Sequence, residues 1–358
     1  MPESTDISLP LPADTIASLA FSPDSSRLAV ASWDSTLTVH EIDPSGSSSS
    51  QIFKHEAPVL AACFSTSTEV FSGGIDHHLR SWDLETGSPT VLDVTEAEIN
   101  QLSWASSSNV LLATTLSSQL NTYDPRLSSP LLSSLRLPQK TVAMDTSGNN
   151  LVLALGERMV YVYDVRKLGS AVSNTEGEPE QRRESALKFL TRSLACMTDG
   201  KGWASSSIDG RIAVEYFAPE DQAQKYAYKA HRVTSSDKTD HAHPISALAF
   251  HPTLNTFASA GSDHSVSIWD HVSKRRVKQL AHFPNAVSSL AFSPDGSWLA
   301  VGYGDGLGEN MDEQTWSARQ SARTEESSCG ERGVILKRQS NEKEREKKPR
   351  PVAHRVGE

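Results

Sequence analysis

Any chemistry in this chain has to come from a few short stretches. His241 and His243 flank Ala242, Asp240 sits beside them, and His231 lies upstream. Imidazole and carboxylate are metal ligands, but a stable site needs a further spaced ligand, and none follows. The group reads as satisfied or solvated loop histidines, and no metal is expected. Gly304-x-Gly306-x-Gly308 imitates a phosphate-binding loop. It lacks the following helix and the Lys-Ser/Thr pair that such a loop needs, so no nucleotide or other cofactor is expected. No G-x-S-x-G elbow offers a serine nucleophile. An enzyme built on this chain would need convergent acids or bases, and the sequence supplies none. The expectation is a protein without catalytic activity.

What remains is a set of cations and one aromatic. Arg183, Arg192, Arg211, Lys229 and Arg232 fall near strand ends within one third of the chain. Arginine grips a carboxylate or phosphate through paired hydrogen bonds, and lysine adds a point charge. Gathered on one side, these residues would favour an acidic or phosphorylated peptide. The alternative is that each makes a routine surface pair of little energetic worth. Trp33 sits at the end of a strand, where sister segments carry Gly74-Ile75 or Gly261-Ser262. It either anchors a partner at the rim or packs against a neighbouring element.

The elements that must position these residues repeat. Seven segments share one pattern: an alternating strand, a polar turn, a strand of small residues, another turn and a third strand. They begin near Ile16, Val59, Ile99, Val142, Ser193, Ile245 and Val287, at separations of 43, 40, 43, 51, 52 and 42 residues. This is the WD-repeat period with two insertions. A single four-stranded sheet cannot bury both its faces. Arranged radially, each sheet covers its neighbours and leaves only short edges. The expected fold is all-β, a seven-bladed WD-repeat propeller; the turns of a β-sandwich would not keep so constant a period.

Asp34, Asp76, Asp209 and Asp263 open the turn before the third strand, where an Asx side chain can bond local backbone. His55, His243 and His282 each precede a first strand, near the usual Gly-His position of such repeats. Third strands end in Trp82-Asp83, Tyr123-Asp124, Tyr163-Asp164 and Trp269-Asp270, whereas the fifth ends in Glu215-Tyr216. That blade must be held by something other than the usual tryptophan, and its Asp209-Gly210 turn leads directly into Arg211.

The chain has 358 residues, 37% of them hydrophobic, and a net charge of −10. An acidic balance argues against a general nucleic-acid binder. Three widely spaced cysteines and no C-x-x-C disfavour a disulfide framework or zinc module and point to a reducing compartment. No signal peptide or membrane span is visible. Residues 1–12 form an N-terminal segment, a candidate to close blade seven, and 13–306 hold the seven blades. Residues 307–340 diverge from the pattern, with a candidate last strand at 333–338, and 341–358 read as a charged disordered tail. Polar interruptions at 168–185 and 218–243 separate the fourth from the fifth repeat and the fifth from the sixth.

Taken together, QRRESALKFLTR (181–192), SSIDGRIAVEYF (206–217) and KYAYKAHRV (225–233) resemble the spindle-checkpoint propeller, the third member of the "budding uninhibited by benzimidazole" family. ASWDSTLTVHEID (31–43), SGGIDHHLRSWDLETG (72–87), YDPR (123–126), VYDVRKLG (162–169) and AGSDHSVSIWD (260–270) follow it in order, so the likeness covers roughly residues 10–303. The resemblance implies a non-enzymatic adaptor, nuclear and at the kinetochore in mitosis, monomeric within a hetero-complex. It implies partners of two kinds. One is the acidic GLEBS-type motif of a checkpoint kinase and its inhibitor paralogue, met by Trp33, Arg192 and Arg232. The other is the phosphorylated Met-Glu-Leu-Thr repeat of a kinetochore scaffold, its phosphothreonine held by Arg211 and Lys229. Neither membrane nor direct nucleic-acid binding is implied.

Two departures stand out. Thr115-Leu116-Ser117 occupies the blade-three rim where the family often has a second aromatic, which halves the aromatic grip. The sequence after Gly306 also leaves the family pattern. A messenger-RNA export propeller of the nuclear pore shares parts of the pattern and is the competing reading.

Overall fold

The second strand of every repeat is dominated by small and apolar residues because it is sandwiched on both faces. Arg27–Ser32, Glu69–Gly74, Val110–Thr115, Asn150–Leu155, Gly202–Ser207, Thr256–Gly261 and Trp298–Tyr303 are buried along almost their whole length. At Gly73 an added Cβ would lie 2.8 Å from Cγ2 of Ile99 on the next blade. Neighbouring sheets approach too closely there for any side chain.

The computed structural model describes residues 6–10, 12–43, 49–168, 177–234, 237–280, 283–304 and 332–339. Among these, the strands form seven four-stranded antiparallel sheets and one two-stranded ribbon, giving a seven-bladed propeller. The first strands are Ile16–Phe21, Val59–Phe64, Ile99–Ala105, Thr141–Ser147, Thr191–Cys196, Ile245–Phe250 and Val287–Phe292. Each lies beside the next, and the last lies beside the first, so the ring closes around them. Seven apolar clusters fill the seven gaps between consecutive blades.

Blade seven is assembled from distant parts of the chain. Its outermost strand, Ile7–Leu9, pairs antiparallel with Gly333–Arg338, which pairs in turn with Trp298–Tyr303. Leu9, Val334 and Leu336 then pack with Ile16, Leu28 and Val30 of blade one. The divergent stretch 307–331, the tail 341–358, and Gly306 and Gly308 of the glycine-rich motif lie outside the described residues.

Two stretches expected to interrupt the repeats contain strands. Gln181–Glu184 is the fourth strand of blade four, paired with Met159–Asp164. Tyr226–Lys229 is the fourth strand of blade five, paired with Arg211–Tyr216. Charge disguised Gln181–Glu184, yet an outer strand is half solvated and tolerates charge; Tyr226–Lys229 was hidden by its brevity among polar neighbours. The true insertion is shorter: the ribbon of Arg232–Thr234 and Asp240–Ala242.

Cys63 and Cys196 are free and buried, and burial pushes both thiols up, away from the reactive thiolate. No helix among the described residues is long and apolar enough to cross a membrane.

Candidate functional site

Every blade begins its first strand with the same irregularity. The pairing with the second strand slips by one residue, leaving Ala17, Leu60, Asn100, Val142, Arg192, Ser246 and Ser288 as bulges. A bulge re-aims a side chain out of the ladder. Arg192 is the one charged member of this set of seven. Just outside the bulge, the residue after each second strand donates its N–H back across the start of the first. Trp33, Ile75, Leu116, Gly156, Ile208, Ser262 and Gly304 all do so, at 2.9–3.1 Å. First-strand starts and second-to-third turns therefore share one face, here called the upper face. It carries Trp33 on blade one and the cations of blade five.

Of the six tryptophans within the described residues, Trp82, Trp104, Trp203, Trp269 and Trp298 belong to apolar clusters between blades. Trp33 belongs to none and stays partly exposed. Trp33 thus sits at the rim rather than between blades. Leu116 occupies the equivalent place on blade three, as its N–H to the Glu98 carbonyl shows.

The cations of blade five converge around one turn. Gly210 holds φ at 71°, and a Cβ there would lie 2.5 Å from the His231 carbonyl oxygen. Only glycine fits both demands. This turn launches Arg211 at the head of the third strand, directly opposite Lys229 in register. Arg211 Nε donates to Asp209 Oδ2 at 2.9 Å, and Asp209 also accepts from the Ser207 hydroxyl. Arg232 bonds the Asp209 carbonyl oxygen at 3.0 Å and reaches its carboxylate at 3.4 Å. From the ribbon, Asp240 Oδ2 accepts from Arg232 at 3.0 Å and from Lys229 at 3.4 Å. Arg211, Lys229 and Arg232 thus form one network, with side chains 39%, 56% and 19% exposed. The Nη1 and Nη2 groups of Arg211 make no hydrogen bond among the described residues. Three cations against two carboxylates leave a formal charge of +1 (3 − 2). Arg192 shares the blade and the face, and Trp33 shares the face three blades away.

Arg183 does not join them. Its guanidinium lies 5.1 Å from the Trp203 ring centroid and donates to the carbonyl oxygens of Tyr216 and Phe217 at 2.6 and 2.9 Å. Glu215 stands buried opposite Trp203 in register, and burial raises its carboxyl while Arg183 pulls the other way. This Arg183–Trp203–Phe217 packing between blades four and five substitutes for the missing Trp-Asp end.

His231 is structural, and its role was not foreseen. Its Nδ1 meets both oxygens of Asp263 at 2.8 Å and its Nε2 meets Ser259 Oγ at 2.7 Å; Trp269 Nε1 donates to the same hydroxyl at 2.7 Å. Blade two builds the same tetrad from His55, Asp76, Ser72 and Trp82. The Gly-His position of blade six is therefore filled by His231 rather than His243, because the ribbon is inserted between His231 and the first strand. That also removes His231 from any metal set with His241 and His243. His282 lies outside the described residues.

Comparison with known proteins agrees with this geometry. The WD domain, G-beta repeat family matches residues 8–41, 46–83, 229–270 and 274–307. The third match spans His231 and the ribbon together, as the tetrad requires. The chain is 34% identical over 294 residues to the mitotic checkpoint protein bub3 of Dictyostelium discoideum, covering 81% of this chain and 86% of that one. It is 34% identical over 296 residues to the mitotic checkpoint protein BUB3.1 of Arabidopsis thaliana, at 81% and 84% coverage. It is also 31% identical over 297 residues to the poly(A)+ RNA export protein of Schizosaccharomyces pombe, at 81% of both chains. With 34% identity over four fifths of this chain and most of each relative's length, the chain belongs to the Bub3 family of WD-repeat propellers.

Proposed function

We propose that this protein is a non-enzymatic adaptor of the mitotic checkpoint that reads two peptide signals on its upper face. A phosphorylated Met-Glu-Leu-Thr motif of a kinetochore scaffold docks its phosphothreonine between Arg211 and Lys229. An acidic GLEBS-type motif of a checkpoint kinase, or of its inhibitor paralogue, meets Trp33, Arg192 and Arg232. The protein acts in the nucleus and, in mitosis, at the kinetochore.

The observation that carries this reading is the convergence of Arg211, Lys229 and Arg232 on one turn, with the terminal nitrogens of Arg211 left over. A doubly charged phosphate can accept charge-assisted hydrogen bonds from such a set, and adding or removing it makes a switch. The test is titration of the full chain with phosphorylated and unphosphorylated Met-Glu-Leu-Thr peptides. Tight binding of the phosphorylated form alone supports the reading; equal affinities sink it.

The similarity to an RNA export protein favours a second reading, a propeller that serves messenger-RNA export through a comparable acidic motif. Depletion followed by a microtubule poison separates the two. Loss of mitotic arrest is expected of the checkpoint adaptor; sustained arrest with nuclear retention of poly(A) RNA is expected of the export factor.

A further inference from the structure

Asp240 already holds the place of an anion in the cation network. Its Oδ2 lies 3.0 Å from Arg232 Nη1 and 3.4 Å from Lys229 Nζ. The hydrogen bond from Arg232 leads, and with Lys229 it holds the Asp240 carboxyl below the ordinary carboxylate range against slight desolvation. The residue sits on the short ribbon, whose register sets Thr234 opposite Asp240 and Arg232 opposite Ala242. The base of the ribbon is pinned over the Asp209-Gly210 turn. His243 N–H donates to the His231 carbonyl at 3.0 Å, and Arg232 holds the Asp209 carbonyl. The outer residues Asp240, His241 and Ala242 are exposed. The ribbon thus brings a carboxylate from outside the blade onto Lys229 of the blade, with Arg232 at its own base as the second cation.

We infer that Asp240 is a specificity-determining residue, an intramolecular competitor that a phosphothreonine must displace and that an ordinary carboxylate cannot. This rests on the phosphopeptide reading above and deepens it. The physical argument is a comparison of anions. A ligand carboxylate carries one charge and two acceptor oxygens, so exchanging it for Asp240 gains nothing. A phosphate monoester carries nearly two charges and three strong acceptors. It can take over Lys229 from Asp240 and also engage the terminal nitrogens of Arg211. Solvent-exposed ion pairs are individually weak, so the resident carboxylate is displaced at small cost. With Asp240 in place, an acidic residue in the threonine position is a poor imitation of the phosphate.

The test uses the full-length chain and three peptides of the Met-Glu-Leu-Thr type: phosphorylated, unphosphorylated, and with glutamate in place of threonine. Fluorescence anisotropy gives each Kd. Asp240→Asn should bind the phosphopeptide about two- to fivefold more tightly than wild type. It should gain more for the glutamate peptide, so the phosphate-to-glutamate affinity ratio narrows. Asp240→Glu should restore the wild-type ratio. Asp237→Asn removes the same charge from the ribbon connection, where Asp237 bonds the Thr239 N–H and meets no cation among the described residues. It should leave the ratio unchanged. Asp240→Ala serves as the second variant, and equal melting temperatures check that each protein is folded. If wild type binds the phosphopeptide and Asp240→Asn and Asp240→Ala keep the wild-type ratio, the inference fails and the phosphopeptide reading stands. Equal narrowing by Asp237→Asn also overturns it, since net charge would then be the cause. If wild type does not discriminate the phosphorylated peptide at all, both fail together.

Discussion

Arg211 and Lys229 stand directly opposite one another across the third and fourth strands of blade five. Like charges so placed repel, and a sheet selected for stability alone would avoid the pair. Asp209 and Asp240 offset part of that repulsion, and a phosphate would offset more. Arg211→Ala should weaken phosphopeptide binding roughly 10- to 100-fold, the value of a charge-assisted hydrogen bond, and leave the unphosphorylated peptide unaffected. Isothermal titration of both peptides measures this, and a parallel loss for both would count against a phosphate contact.

Trp33 lies outside the apolar clusters that join the blades. Trp33→Ala should therefore leave the thermal melting temperature nearly unchanged while lowering affinity for an acidic GLEBS-type peptide by about 30-fold, as loss of an aromatic anchor does. Putting an aromatic at the matching place, Leu116→Trp, should raise that affinity. A large drop in melting temperature with Trp33→Ala would show that the ring packs rather than binds.

His231 and His243 lie on either side of the ribbon but differ in what they support. His231 is 1% exposed and bonded to Asp263 and Ser259. Its removal leaves a buried carboxylate and hydroxyl short of a partner. His231→Ala should cost about 2–4 kcal/mol in denaturant unfolding, and His243→Ala less than about 0.5 kcal/mol. Comparable losses would mean that the tetrad contributes little.

His40 occupies in blade one the place that Trp82 fills in blade two, one residue before the end of the third strand. It is 1% exposed, and among the described residues its Nδ1 lacks a partner. Burial depresses its pKa from the ordinary 6.5 to about 4. The unfolded chain then binds a proton between those values that the folded chain refuses, so stability falls as pH drops through that window. Asp145 works in the opposite sense, because burial raises its carboxyl to about 6. Comparing His40→Leu with wild type isolates the histidine: the variant should gain up to roughly 3 kcal/mol relative to wild type between pH 7 and pH 4. Below pH 4 both proteins should lose stability steeply. Burial opposes the Asp76 and Asp263 carboxylates, but bonds from His55, Arg80 and His231 hold both below the ordinary range. Stability from these carboxylates is present above the unfolded value and lost as pH falls. Melting temperatures across pH 3–7 check both parts.

Periodicity made the propeller legible, because the buried second strands allow few residue types and so repeat visibly. It failed at two short outer strands. Gln181–Glu184 and Tyr226–Lys229 read as insertions because half-solvated strands need no apolar alternation. His231 went unrecognised for a related reason: the ribbon separates it from its own blade, and spacing is the signal that finds such a histidine. Arg183 was counted among surface cations because a sequence cannot show that Trp203 lies beneath it. The bulge at Arg192 follows from the repeat itself and is invisible in any single segment.

The pairing of Ile7–Leu9 with Gly333–Arg338 also sets a timetable for biosynthesis. The two strands lie more than 300 residues apart in sequence. At a ribosomal rate of about 5–20 residues per second, the second emerges roughly 15–60 seconds after the first. Until then the nascent chain is an open arc, with the apolar faces of Leu9 and Ile16 waiting for Val334 and Leu336. The amino-terminal strand therefore works as a latch. It emerges more than 300 residues ahead of its partner strand and engages only when that strand arrives, and during that interval the unfinished arc exposes apolar surface prone to aggregation.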